Sequence, residues 1–238
     1  MGQKKLIRFA ELKSFPNVLE FPKDAAGNWS TFFENKNPIT LELACGKGEY
    51  ALGLGRLFSN RNFIGVDIKG NRIWVGARKA LNESLSNVRF LRAQIEQLTD
   101  FFAPQEVAEI WITFPDPQLR FSKAKKRLTH PRFLRLYQKI LIPGGRIHLK
   151  TDSPVLYAFT CLVAEHYQCT IHTKSEDVYG QGFVEPSLSI KTHYESLDIA
   201  GSNRIYYCCF SLPATLGTET TDQSFKEILA RHEGIEAQ

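Results

Sequence analysis

Through the middle of the chain, short apolar runs alternate with longer stretches whose apolar residues recur at helical spacing. ITLEL (Ile39 to Leu43) predicts a strand, and a Gly-punctuated turn leads into a helix through Leu57. NFIGV (Asn62 to Val66) predicts a second strand, followed by a helix from about Gly70 to Leu85. NVRFL (Asn87 to Leu91) and EIWITF (Glu109 to Phe114) predict a third and a fourth strand. A helix opening at Pro131 runs to about Leu141 and stops at the Pro143-Gly144-Gly145 turn. RIHLKT (Arg146 to Thr151) and the helix from Val155 to Tyr167 complete the alternation. Strands alternating with helices imply a parallel sheet covered on both faces.

The rhythm then changes. CTIHTK (Cys169 to Lys174) and RIYYCCF (Arg204 to Phe210) both read as strands, with no helical pattern between them. An antiparallel pair at the sheet edge satisfies that order. The connection from Ser175 to Gly201 is too long for a hairpin, and long loops inside compact domains are often functional. The segments before Phe32 and after Pro213 read as arms (about 1–31 and 214–238) of a single domain spanning 1–238. No internal repeat or low-complexity tract interrupts it.

Charge adds a local feature that composition conceals. The net charge is +5, only mildly basic. Yet Arg120, Lys123, Lys125, Lys126, Arg127, Arg132 and Arg135 follow one another with no acid between them. Such a run grips phosphates when it borders a site and is otherwise a solvated helix face. It begins just after Asp116, which sits between Pro115 and Pro117. Two prolines lock φ and stiffen the loop around that carboxylate.

Other signals narrow the chemistry. Gly46-x-Gly48-x-x-Ala51 after the first strand, with Asp67 ending the second, matches a nucleotide-cofactor turn. Glu42 brings a carboxylate to that turn, which suits a cationic ligand such as S-adenosylmethionine better than a pyrophosphate. The histidines are scattered without metal-ligand spacing, and the five cysteines form no CxxC pair, so no metal is expected. Reduced cysteines, no signal-peptide pattern after Lys4, Lys5 and Arg8, and no membrane-length apolar run predict a cytoplasmic protein. Cys45 as the nucleophile of a cytosine methyltransferase lacks the accompanying Pro-Cys motif.

Taken in order, ELACGKG, GVD, ITFPDP, GGRIHLKTD and THYE resemble the bacterial tRNA (guanine-N7)-methyltransferase family from about Ile39 to Phe210. The specific part is FPDP followed by a basic run ending KKRLT. The resemblance implies an α/β, Rossmann-like class I S-adenosylmethionine-dependent methyltransferase. Its sheet would be mostly parallel and seven-stranded, with an antiparallel edge strand and helices on both faces. The activity implied is methyl transfer to N7 of a guanine in the tRNA variable loop, by a monomer or homodimer.

On the same footing, Glu42, Gly46, Gly48, Asp67 and Gln94 match cofactor-binding positions, Gln94 standing where many relatives carry Asp. Asp116 matches the catalytic acid and a further cofactor contact. Arg120, Asp152, Thr192, His193, Tyr194 and Glu195 match substrate-binding positions, Arg120 replacing a usual Lys. Gln118 replaces the family's Trp after FPDP. The loop from Phe183 to Glu195 is expected to order over the guanine when RNA binds. The alternatives are a methyltransferase acting on another RNA position or on a small molecule, an NAD enzyme, and a non-catalytic RNA-binding module. Loss of Glu42, Asp67 or Asp116 would favour the last, and all three are present.

Overall fold

The computed structural model describes residues 3–232 except 181, 183, 198, 200, 202 and 203. Its eight-stranded sheet has the order β1-β4-β3-β2-β5-β6-β8-β7. The strands are β1 (Val18–Glu20), β2 (Ile39–Leu43), β3 (Asn62–Asp67), β4 (Val88–Arg92), β5 (Val107–Thr113), β6 (Leu141–Thr151), β7 (Thr170–Ser175) and β8 (Tyr206–Ser211). From β1 through β6 all neighbours pair in parallel, and β8 runs antiparallel to both β6 and β7.

The helices fall on two faces. On one, α1 (Gln3–Leu12), α3 (Glu49–Leu57) and α4 (Gly70–Asn82) pack Leu12, Tyr50, Leu54, Ile73 and Ala77 against the sheet. On the other lie α2 (Trp29–Phe33), α5 (Leu98–Phe101), α6 (Pro131–Ile140), α7 (Pro154–His166) and α8 (Glu219–His232). They bury Trp29, Phe101, Phe133, Leu134, Phe159 and Phe225 over Leu41, Leu43, Ile110 and Ile112. Every residue of β2 is buried, as a central parallel strand requires.

The expected architecture is present, with one strand more than the seven implied. Val18–Glu20 pairs with Phe90 to Arg92 at the sheet edge, so the N-terminal arm is part of the sheet. A three-residue strand carries too little periodicity to be read from sequence. The Pro143-Gly144-Gly145 turn lies within β6, which starts at Leu141 opposite Val107. Strand order reverses at β2: β3 and β4 are added on one side of it, β5 and β6 on the other. Such a switch point opens a crevice beyond the carboxyl ends of the strands.

Candidate active site

At that crevice lies a cavity of about 940 Å3. It brings together Glu42, Gly46, Asp67, Gln94, Asp116, Asp152, Thr192, His193 and Tyr194, which the sequence scatters over some 150 positions. Gly48, Arg120 and Glu195 do not line it.

The first wall is built from strand ends. Glu42 is buried near the end of β2, where the Ala51 N–H donates to its Oε2 at 2.8 Å and the Thr113 hydroxyl to its Oε1 at 3.3 Å. Burial outweighs those hydrogen bonds and pushes the carboxyl up to about 8. Asp67 ends β3 and accepts from the Gly46 N–H at 2.9 Å and the Lys69 N–H at 2.8 Å. It thereby fixes the glycine turn, in which Ala44, Gly46 and Gly48 all have positive φ. Gly48 acts from beneath the site, because a Cβ there would meet the Phe90 ring at 2.3 Å. Gln94 follows β4 and is exposed to the cavity.

The second wall is a pair of loops. Phe114, at φ +46, turns the chain out of β5, and its N–H donates to the Lys150 carbonyl at 2.8 Å. Asp116 then accepts the Gln118 N–H at 3.0 Å, closing an Asx turn that Gln118 completes at φ +48. The loop is held from below by Arg127, which is fully buried. Arg127 Nε donates to the Pro117 and Gln118 carbonyls at 3.3 Å, and its guanidinium lies 4.5 Å over the Phe159 ring.

The basic run is therefore not uniform. Arg127 is internal, Arg132 pairs with Glu96 at 3.1 Å, and Arg135 pairs with Asp222 of α8 at 2.5 Å. Arg120, Lys123, Lys125 and Lys126 are exposed, with Lys126 at the cavity wall.

The late loop supplies the remainder. Thr192 accepts from the Glu195 N–H at 3.2 Å, the His193 N–H donates to Glu49 Oε2 at 2.9 Å, and the Arg72 guanidinium lies 5.9 Å from the Tyr194 ring. Glu195 turns away from the cavity into a buried ion pair with Lys150 at 3.0 Å, where Tyr179 also donates to it. Ile190 rests on α3 where Gly53 leaves space, since a Cβ at Gly53 would lie 2.7 Å from Ile190. Phe183, the first residue of the loop expected to order with RNA, lies outside the described residues.

Lys150 and Arg127 went unrecognised as site-building residues in the sequence. The signal for Lys150 is a lysine in the second half of β6, where 147–151 are all buried. Arg127 was hidden inside a run of surface cations. Among the described residues, no three His, Cys, Asp or Glu gather as a metal site, and no helix is long and apolar enough to cross a membrane.

Residues 36–208 match a family model described as "Putative methyltransferase". A curated tRNA (guanine-N(7)-)-methyltransferase of Porphyromonas gingivalis is 50% identical over 213 residues, covering 84% of this chain and 86% of that protein. The chain belongs to the tRNA (guanine-N7)-methyltransferase family. A Bacteroides thetaiotaomicron member is 46% identical over 222 residues, covering 90% of this chain and 87% of that one. The fold reaches beyond the family. The 16S rRNA methyltransferase KamB superposes with a TM-score of 0.56 at 15% identity, covering 74% of this chain and 89% of its own.

Proposed function

We propose that this protein transfers the methyl group of S-adenosylmethionine to N7 of a guanine in the variable loop of tRNA. The observation that carries the reading is the placement of Asp116 in one cavity with Glu42 and Asp67, in a chain of this family. The donor set of the first wall fits the cofactor. Glu42 is a buried carboxyl bonded by two neutral donors, the Ala51 N–H and the Thr113 hydroxyl, and an ammonium or sulfonium ligand would offset its burial. Asp67, at the end of the second strand of the switch point, stands where ribose hydroxyls are held in this fold.

When bound, S-adenosylmethionine supplies an electrophilic methyl on sulfur. N7 of guanine has a free lone pair and no proton to lose, so the protein needs no general base. Its task is positioning, which in well-oriented systems is worth roughly 7–11 kcal/mol. Positive charge moves onto the purine as the methyl arrives. Asp116, fixed by its Asx turn, two prolines and the Arg127 latch, stabilises that charge without reorganising. Its carboxylate also accepts hydrogen bonds from the guanine N1–H and amino edge. Gln94 offers an amide oxygen to the adenine amino group. Asp152, Thr192, His193 and Tyr194 form the guanine side of the cavity, and Arg120 with the exposed lysines holds the phosphates around it.

A target base inside folded RNA must leave its stack before it can be methylated. The exposed cations grip the flanking backbone, so affinity falls as salt rises. We place the protein in the cytoplasm with its tRNA, as a single methyltransferase domain. The test is nucleoside mass spectrometry on unmodified tRNA incubated with the protein and S-adenosylmethionine. A 7-methylguanosine peak that requires the cofactor is expected. A methylated nucleoside of another kind would replace the substrate assignment.

A further inference from the structure

Among the buried groups outside the cavity, Lys150 gathers four hydrogen-bond acceptors around one ammonium. It is fully buried at the end of β6. Its ammonium donates to the Leu188 carbonyl at 2.8 Å, the Ile190 carbonyl at 3.0 Å, Glu195 Oε2 at 3.0 Å and the Tyr179 hydroxyl at 3.1 Å. An ammonium has three hydrogens, so four acceptors more than saturate it. All four acceptors belong to the single connection between β7 and β8. Glu195 is further bound through its other oxygen by the Tyr179 hydroxyl.

The same residue reaches the other loop through its backbone, where its carbonyl accepts the Phe114 N–H two residues before Asp116. Lys150 thus joins the two loops of the substrate wall. Thr192, His193 and Tyr194, which line the cavity, lie between Ile190 and Glu195, both of which it holds.

We propose that Lys150 is a positioning residue that holds the late loop in register with Asp116, and that Glu195 acts through Lys150 rather than on the guanine. The assignment of a guanine site rests on the function proposed above; the latch does not. A buried charge deprived of its partner is strongly unfavourable. The network therefore keeps the loop in place before any RNA arrives.

Lys150→Met preserves length and removes the charge. Amide hydrogen exchange of the cofactor-free variant is expected to lose protection across 188–195, while β2 and β3 stay protected. The KM for tRNA is expected to rise about tenfold, with S-adenosylmethionine affinity unchanged within about threefold. The double variant Lys150→Met/Glu195→Gln is expected to be no worse than Lys150→Met alone, because both substitutions break one network.

Unchanged exchange in the loop, or additive losses in the double variant, would overturn the inference. Additivity would return Glu195 to the guanine. Should Lys150→Met fail to fold, Glu195→Gln carries the same exchange test, with loosening of 188–195 expected and unchanged protection overturning the inference. The exchange readout needs neither tRNA nor turnover. Failure of the methyltransferase reading would therefore appear separately, as absent 7-methylguanosine with an intact latch.

Discussion

The two walls of the cavity are held by opposite kinds of side chain, acids on one and bases on the other. On the cofactor side, buried carboxylates accept from backbone N–H groups: Ala51 onto Glu42, and Gly46 and Lys69 onto Asp67. On the substrate side, buried cations donate to backbone carbonyls: Arg127 beneath the Asp116 loop and Lys150 beneath the late loop. The difference follows from what each wall is made of. A strand end feeding a helix presents unsatisfied N–H groups, which suit an acid. An irregular loop presents unsatisfied carbonyls, which suit a cation with several donors. The acids remain accessible to a ligand from the cavity, whereas the cations are consumed in holding loops.

If that division is right, damage to one wall should leave the other working. The largest effect is expected at Asp116, the carboxylate that the Asx turn holds at the cavity. Asp116→Ala should lower single-turnover methyl transfer by about a thousandfold, the scale of losing a preorganised electrostatic group. Quench-flow with labelled cofactor reads it directly.

Next comes the Arg127 latch. Arg127→Met leaves the Pro117 and Gln118 carbonyls without their buried donor, and should cost about 3 kcal/mol of stability. Denaturant unfolding measures that loss, and the residual enzyme should show a slower transfer step before any weakening of cofactor affinity.

The smallest effect concerns proton linkage at Glu42. Burial holds its carboxyl neutral until about pH 8, so a cationic cofactor must expel a proton to bind below that value. S-adenosylmethionine affinity should therefore rise about tenfold per pH unit approaching 8 and level off above it. The sign for the unliganded fold is the reverse. A carboxyl raised above its unfolded value contributes stability at low pH that is lost as pH climbs through 8. Glu42→Gln should flatten both dependences, and calorimetry in buffers of different ionisation enthalpy would count the proton released.

The walls also differed in how far the sequence disclosed them. Glu42 and Ala51 are nine residues apart, and the strand, glycine turn and helix that join them form one local motif. That side could be read from periodicity and spacing, down to Asp67 ending the next strand. The Lys150–Glu195 pair spans 45 positions and a connection without regular pattern, so no local rule brings the two together. The family likeness suggested Glu195 as a substrate contact, and the fold turns its side chain inward instead. Arg127 failed for another reason: in a run of cations every member reads as solvated, and only the packing of Phe159 beneath the loop singles one out. At the chain ends, β1 is too short to show a period, and α8 declares itself mainly through Phe225 and Leu229 meeting the core.

Because Asp116 resembles both a catalytic acid and a cofactor contact, one measurement bears most directly on the division of the cavity. It is isothermal titration of S-adenosylmethionine into Asp116→Ala and Glu42→Gln side by side at pH 8. The two-wall account predicts that Asp116→Ala binds within about threefold of the wild-type protein while Glu42→Gln binds about tenfold more weakly. Equal weakening in both variants would contradict it and make Asp116 part of the cofactor wall.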